Sequence, residues 1–389
     1  MTGGVAPRAP QSILTKKKMM MTPQSEADLC DAVRQAEGPL AIRGGGTRLT
    51  GQAGELLSVA GLSGITLYDP GALTMVAQAG TPLAEIEAAL ASENQRLAFE
   101  PMDHRALLST VGAPSIGGIF AANISGPRRV QVGAARDFLL GVRYVDGMGQ
   151  AIKNGGRVMK NVTGYDLVKL MAGSWGTLGV LSEVSFKVLP RPETEATLRF
   201  AVDGAGSAVQ LLSAALGAPY EVSGAGYDPA QGAALLRIEG FADSVAYRAG
   251  KLSTLLAAAG AVDLVDDPAK SALLWAALRD VAPFRDALGD VWRISCKPSQ
   301  APELTARLEA EALLFDWGGG LIWALVPEGC DMRARGGAYD GHATLMRAAP
   351  ETRARLGMFQ PQPAPLAAIE AGLRAKFDPR GIFNPGLMG

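Results

Sequence analysis

The run Arg43-Gly44-Gly45-Gly46-Thr47-Arg48, followed by Gly51, restricts this chain more than any other stretch. Three consecutive glycines offer no side chain to pack. They let the backbone take positive φ and turn successive N–H groups toward one point, and such a concave row of amides is an anion nest. The residues just before it, Pro39-Leu40-Ala41-Ile42, read as a short buried strand. Arg43, Thr47 and Arg48 add charge and a hydroxyl. A phosphate or pyrophosphate is the natural guest, although a plain glycine-rich turn would carry the same local sequence.

The chain has 389 residues, enough for two or three domains at ~100–200 residues each. Apolar residues make up 48% and charged residues 19%, so a sizeable core can be buried and disorder is excluded. The net charge is −1 and no basic stripe occurs, which argues against nucleic acid as a partner. Cys30, Cys296 and Cys330 are odd in number and form no CxxC. That pattern fits free thiols in a reducing compartment and no zinc or iron–sulfur site in this chain. His104 and His342 are the only histidines, and no metal site is expected.

No apolar run approaches the ~18 residues of a membrane span. Residues 1–21, with Lys16-Lys17-Lys18 ahead of Met19-Met20-Met21, lack the apolar stretch of a signal peptide. They read as a disordered tail, with a translation start near Met19 to Met21 as an alternative to Met1.

Thr22-Pro23 reads as the start of a helix that Gly38-Pro39 ends. Strands are expected over Leu56 to Tyr68 and Met75 to Ala79, then a helix from Thr81-Pro82 with Leu83, Ile86 and Leu90 on its buried stripe. Residues 111–126 form a second small-residue stretch, in which Ser115, Gly117, Gly118, Asn123 and Gly126 could line a flat ligand. A strand from Leu139 to Val145 turns at Asp146-Gly147. A third glycine cluster, Gly173 to Val180, feeds a strand in which Val184, Phe186 and Val188 alternate with polar residues. After Pro192 strands alternate with alanine-rich helices, among them one over Ser244 to Ala259. This suggests an antiparallel sheet with helices on one face. The class is α+β. The expected division is 22–190, 191–345, and a final segment, 346–389, that returns to dock on the first unit.

The absent motifs narrow the chemistry. There is no G-x-G-x-x-G, so the common dinucleotide fold is not indicated. P-loop, nucleophile-elbow and zincin signatures are missing too. What remains is three small-residue clusters with arginines and no nucleophile–base pair. A large flat cofactor bearing phosphate, held by backbone, fits this pattern, and FAD fits better than NAD.

The nest, the Ser115-to-Gly126 segment, the Gly176-to-Val180 segment and the ending Asn384-Pro385-Gly386 occur in an order that resembles the vanillyl-alcohol-oxidase-type (PCMH) FAD-binding family. Gly126-Pro127-Arg128-Arg129, Arg136-Asp137-Phe138, Val158-Met159-Lys160-Asn161-Val162-Thr163-Gly164-Tyr165-Asp166-Leu167 and Trp292-Arg293-Ile294-Ser295 look like the FAD-binding E subunits of bacterial glycolate oxidases. The resemblance covers about residues 22–389. It implies a PCMH-type FAD-binding domain of two α/β subdomains and an α+β cap domain of antiparallel sheet plus helices. It also implies non-covalent FAD, since this nest lacks the histidine of the covalent members.

By the same resemblance Arg43, Gly44, Gly45, Gly46, Thr47, Arg48 and Gly51 would hold the pyrophosphate. Ser115, Gly117, Gly118, Asn123 and Gly126 would line the adenine–ribityl path, Gly179 and Val180 the adenine end, and Asn384 the isoalloxazine. The implied substrate is a small 2-hydroxy acid. Arg128 and Arg129 could bind its carboxylate, and His104 is a candidate base. The cap lacks the histidine–glutamate metal cluster of related D-2-hydroxyacid dehydrogenases. The expectation is therefore a flavin-bearing partner of a companion catalytic flavoprotein subunit and an iron–sulfur subunit. Substrate would then be oxidised mainly in the companion. Alternatives are a stand-alone hydroxyacid dehydrogenase and a cofactor-free scaffold. Localisation is expected to be cytoplasmic, with at most peripheral membrane association through the complex. The cap tryptophans Trp292, Trp317 and Trp323 read as core, and His342 as a structural or interface residue.

Overall fold

The computed structural model describes residues 20–49, 51–158 and 164–388. The tail up to residue 19 and the Met159-to-Thr163 part of the motif quoted above lie outside them. Met20–Met21, assigned to the tail by sequence, is instead a short strand paired in parallel with Glu55–Ser58. Glu55–Ser58 also pairs in parallel with Leu40–Arg43, the strand that leads into the nest.

A second sheet has five antiparallel strands in the order Ile65–Asp69, Thr74–Gln78, Val180–Lys187, Leu139–Val145, Ala151–Gly155. Val184, Phe186 and Leu139 are buried in its core together with Ile86 and Leu90 of helix Leu83–Ser92. The expected long strand over residues 56–68 is broken by a turn of 3₁₀-helix at Val59–Gly61. The first helix runs Glu26–Gln35, one turn later than Thr22-Pro23 suggested, because Ser25 Oγ accepts from Asp28 N at 3.1 Å and caps it.

The third sheet has eight antiparallel strands, ordered Val262–Val265, Thr194–Ala201, Ala233–Gly240, Gly224–Asp228, Ala312–Asp316, Leu321–Val326, Asp290–Cys296, Gly341–Arg347. Successive side chains of a strand point to opposite faces. Trp292, Ile294, Ile322, Ala324, Ala343 and Leu345 therefore enter one core, covered by helices Gly204–Gly217, Ala242–Leu255 and Ala301–Leu308. Not every helix lies on that face. Pro268–Arg279 packs on the opposite one, where Trp275 meets Ala233 and Leu235 and donates to Thr197 Oγ1 at 2.8 Å. The other strand residues on that face, Arg293, Ser295, Trp323, Thr344 and Met346, look toward the first two sheets across a cleft.

Charge joins the two halves. Arg128 chelates Glu239 at 2.9 Å and reaches Glu100 at 2.9 Å and Glu195 at 3.6 Å. Arg237 donates to both oxygens of Glu100 at 3.0 and 2.9 Å, and Arg96 to Glu239 at 2.6 Å. Three arginines thus interleave with three carboxylates, all of them with buried or nearly buried charged ends. Burial alone would raise the Glu100 and Glu239 pKa values, but Arg237 and Arg128 outweigh it and hold both below the ordinary carboxylate range.

The chain end packs beside the nest strand. Leu40 N donates to Ile382 O at 2.7 Å and Asn384 N to Leu40 O at 3.0 Å, so residues 382–384 run alongside the strand that carries the nest. Replacing Arg237 by Met would leave Glu100 with Arg128 as its one ion-pair partner among the described residues, and removing a partner from a buried charge cluster costs up to ~3–5 kcal/mol. Arg237→Met is expected to lower the thermal midpoint by several degrees, measured by calorimetry. An unchanged midpoint would show that the cluster does not hold the halves together.

Candidate functional site

The nest keeps its shape because its glycines have no room for side chains. A Cβ on Gly45 would overlap the carbonyl of Ala113, and one on Gly44 would overlap Ser115 Oγ. Gly46 has φ +69, and a Cβ there would overlap the Arg43 guanidinium. The loop it presses against is fixed from behind: Leu83 N donates to Pro114 O at 2.7 Å and Gly117 N to Ala79 O at 2.8 Å. Ser115 caps the short helix Ile116–Ala121, accepting from Gly118 N at 3.3 Å. Among the described residues the N–H groups of Gly45, Gly46 and Thr47 have no protein acceptor. They line a cavity of about 370 Å³ with Arg43, Arg48, Gly51, Gly117, Gly118, Gly176, Gly179 and Val180.

Arg48 carries the electrostatics of this cavity. It is buried, no carboxylate pairs with it among the described residues, and its Nη2 has no hydrogen-bond partner. Burial pulls its pKa down to about 10, so it stays charged at neutral pH. Its Nε donates to Nδ1 of His104 at 3.3 Å. His104 is itself buried, and burial together with Arg48 drives its pKa well below the ordinary imidazole value. A buried cation with an orphaned donor, beside a row of free amides, is what a phosphate or diphosphate satisfies. Gly179 allows a close wall at the far end, where a Cβ would lie 2.7 Å from the Tyr144 ring.

Ala122 and Trp175 belong both to this cavity and to a larger one of about 930 Å³. The larger cavity is the cleft between the sheets, lined on one side by His104, Asn123, Gly126 and Arg129, and on the other by Arg293, Asp316, Trp317 and His342. Trp317 is locked in place: its Nε1 donates to Gly126 O at 3.0 Å and its N to Asp316 Oδ1 at 2.7 Å. The guanidinium carbons of Arg129 and Arg293 lie 4.5 and 5.0 Å from the Trp317 ring centre. Burial, and then the neighbouring Arg129 charge, pull Arg293 down to about 10. Burial pushes Asp316 up to about 7. Burial, Arg293 and Arg129 together lower His342, so its imidazole is neutral at neutral pH.

The sequence candidates therefore divide. Arg43 to Arg48, Gly51, Gly117, Gly118, Gly179 and Val180 converge on the smaller cavity. Ser115 sits behind its wall as a cap, while Asn123 and Gly126 lie on the larger cleft, where Asn123 Oδ1 accepts from Arg136 N at 2.9 Å. Two assignments are corrected. Arg128 is no carboxylate ligand, because all its donors face Glu100, Glu195 and Glu239, away from the cleft. Asn384 lines neither cavity. Its Oδ1 accepts from Ile42 N and its Nδ2 donates to Trp175 O, both at 2.9 Å, so it clips the nest strand to the Trp175 loop. His104 is at the cleft, but Nδ1 is engaged by Arg48. Trp292 and Trp323 are core as expected, although Trp323 also lines the cleft, and Trp317 is a half-buried cleft residue packed against the same core as Trp323. Sequence reasoning missed Arg293 and Asp316. The period-2 pattern of Trp292-Arg293-Ile294-Ser295 was the available signal for Arg293. Among the described residues no three His, Cys, Asp or Glu side chains stand together as a metal site.

Residues 18–155 match the family described as an FAD-binding domain. The chain is 37% identical over 368 residues to the glycolate oxidase subunit GlcE of Escherichia coli, spanning 92% of this chain and 96% of that protein. It is 33% identical over 180 residues to the glycolate oxidase subunit GlcD of Bacillus subtilis, covering 45% of this chain and 37% of that one. In fold it resembles alkyldihydroxyacetonephosphate synthase, with TM-score 0.69 at 15% identity over 94% of this chain and 76% of that one. Gly45→Ala is expected to weaken FAD binding at least ~tenfold, about 1.4 kcal/mol, in a fluorescence titration. Gly38→Ala, where a Cβ meets nothing within 4 Å, should leave it unchanged. Equal affinities would show that the nest takes no part.

Proposed function

This chain belongs to the family of the FAD-binding glycolate oxidase subunit GlcE, and from that premise we propose that it is the flavin-carrying subunit of a complex that oxidises glycolate, or a close 2-hydroxy acid, to the 2-oxo acid. The observation that carries the reading is that the amide-lined cavity adjoins the larger cleft, the two sharing Ala122 and Trp175 as lining. A diphosphate in the first leaves the second open to a flat ring system. Bound FAD supplies a two-electron acceptor, and the protein supplies position and electrostatics.

The residues that would hold the cofactor follow from their placement. The amides of Gly45, Gly46 and Thr47, with Arg43 and Arg48, take the diphosphate. The Gly176-to-Val180 backbone takes the adenine end. Asn123 and Gly126 border the ring end rather than the adenine path. We read the attachment as non-covalent, since the nest from Arg43 to Arg48 carries no histidine. We read residues 22–190 as the FAD-binding domain, 191–345 as the cap and 346–389 as the returning segment; the break at 190 falls between sheets, while the strand Gly341–Arg347 carries the cap sheet two residues past 345.

A companion flavoprotein subunit and an iron–sulfur subunit that takes the electrons are the partners this reading requires. The GlcE relative is a subunit by name, which supports an assembly of several chains. Cys30, Cys296 and Cys330 are free thiols, in keeping with a reducing, cytoplasmic setting and at most peripheral membrane contact. Affinity purification from the native host tests the reading. The expected result is a yellow chain with stoichiometric flavin that brings an iron–sulfur protein with it. A colourless chain that purifies alone would contradict it.

A further inference from the structure

We propose that the larger cleft holds a built site for a small carboxylate, gripped from its two walls by Arg129 and Arg293 beside Trp317. Two guanidiniums stack on one indole, at 4.5 and 5.0 Å from its centre. Among the described residues neither has a carboxylate or any other hydrogen-bonding side-chain partner. This sets them apart from Arg128, Arg237 and Arg333. Arg128 and Arg237 are matched by Glu100 and Glu239, and Arg333 spends its donors on the carbonyls of Ala343, Leu356 and Met358. Two like charges held together in a recessed cleft repel, and an anion between them relieves that repulsion.

The surroundings favour a carboxylate that carries a further oxygen. Register places Ser295 opposite His342 and Arg293 opposite Thr344 on adjacent strands. All four line the cleft. Two hydroxyls and a neutral imidazole thus stand beside the cation pair, able to meet a 2-hydroxyl or 2-oxo group. The carboxyl that Arg293 feels is Asp316, whose Oδ1 is already occupied by Trp317 N, and the one that Arg129 feels is Asp137, with which it forms no ion pair among the described residues. Guanidiniums pair with carboxylates through two parallel hydrogen bonds, and Trp317, anchored on Gly126 O, is a fixed surface against which both rest.

The inference rests on the flavoprotein reading, because a carboxylate held here is a substrate only if the same cleft also receives the flavin. It gives this chain an acid-binding site of its own, which keeps Arg129 of the arginine pair the sequence offered and replaces Arg128 by Arg293. Oxalate, a dicarboxylate that cannot lose a hydride, is the probe. Calorimetric titration of the full-length chain with oxalate should show saturable binding. Arg293→Gln and Arg129→Gln should each weaken it at least tenfold, whereas Arg285→Gln, an exposed arginine remote from the cleft lining, should not.

Flavin content and thermal midpoint, measured on the same samples, separate the outcomes. Arg293→Lys serves where the glutamine variant does not fold, since it keeps the charge but loses the two-pronged geometry, and it should also bind oxalate more weakly. A yellow, folded chain that ignores oxalate overturns this site and leaves the flavin reading intact. A colourless chain whose oxalate binding depends on Arg293 overturns the flavin reading and leaves the carboxylate site standing. Binding of inorganic phosphate as tight as that of oxalate overturns the assignment to a carboxylate.

Discussion

The structure depends on a contact that only missing side chains permit. Loop 43–48 lies with its backbone against loop 112–118, and a Cβ at Gly44 or Gly45 would occupy the same space as Ser115 or Ala113. That closeness orients the free amides of Gly45, Gly46 and Thr47 into one cavity. It also sets Arg48 beneath them, buried and without a counter-ion among the described residues. An unpaired buried cation is costly by itself, so the site is organised for an anion that the protein does not supply. The strand below is held on its other side by the returning segment, through Asn384 and the carbonyl of Ile382.

A second constraint sets where the eight-stranded sheet lies over that site. The Arg96–Arg128–Arg237 and Glu100–Glu195–Glu239 cluster joins residues from both halves of the chain. Pairing of this kind gives little net stability against an apolar alternative, yet breaking it is expensive. Its effect is positional. The sheet edge bearing Arg293, Ser295, His342 and Thr344 is kept facing the Asn123-to-Arg129 segment, and the space between them becomes the larger cleft. Trp317 adds a direct bond across it to Gly126.

Some of this was legible in the sequence for physical reasons. Three adjacent glycines have no packing role, so the nest announces itself. The alternation at Val184, Phe186 and Val188 marks a strand with one face inward. Other parts depend on residues far apart in the chain. Arg128 reads as a free cation until Glu239, 111 positions away, is seen to chelate it. Asn384 reads as a cofactor contact until both ends of its amide are found bonded to Ile42 and Trp175. Arg293 is hidden between two core residues, and only pairing with the strands bearing Trp323 and Thr344 shows which way it faces. Thr22 and Ser25 are both good caps by type, and the choice between them is made by Asp28 N.

The central claim is that backbone amides and Arg48 hold a diphosphate, and that the flavin ring is bound because it is attached to it. Comparing FAD with riboflavin on the cofactor-stripped chain tests this most directly. The account predicts that FAD and ADP bind and compete with each other, while riboflavin, which has the ring and no phosphate, binds at least ~100-fold more weakly, about 2.7 kcal/mol. Riboflavin binding as tight as FAD would contradict it.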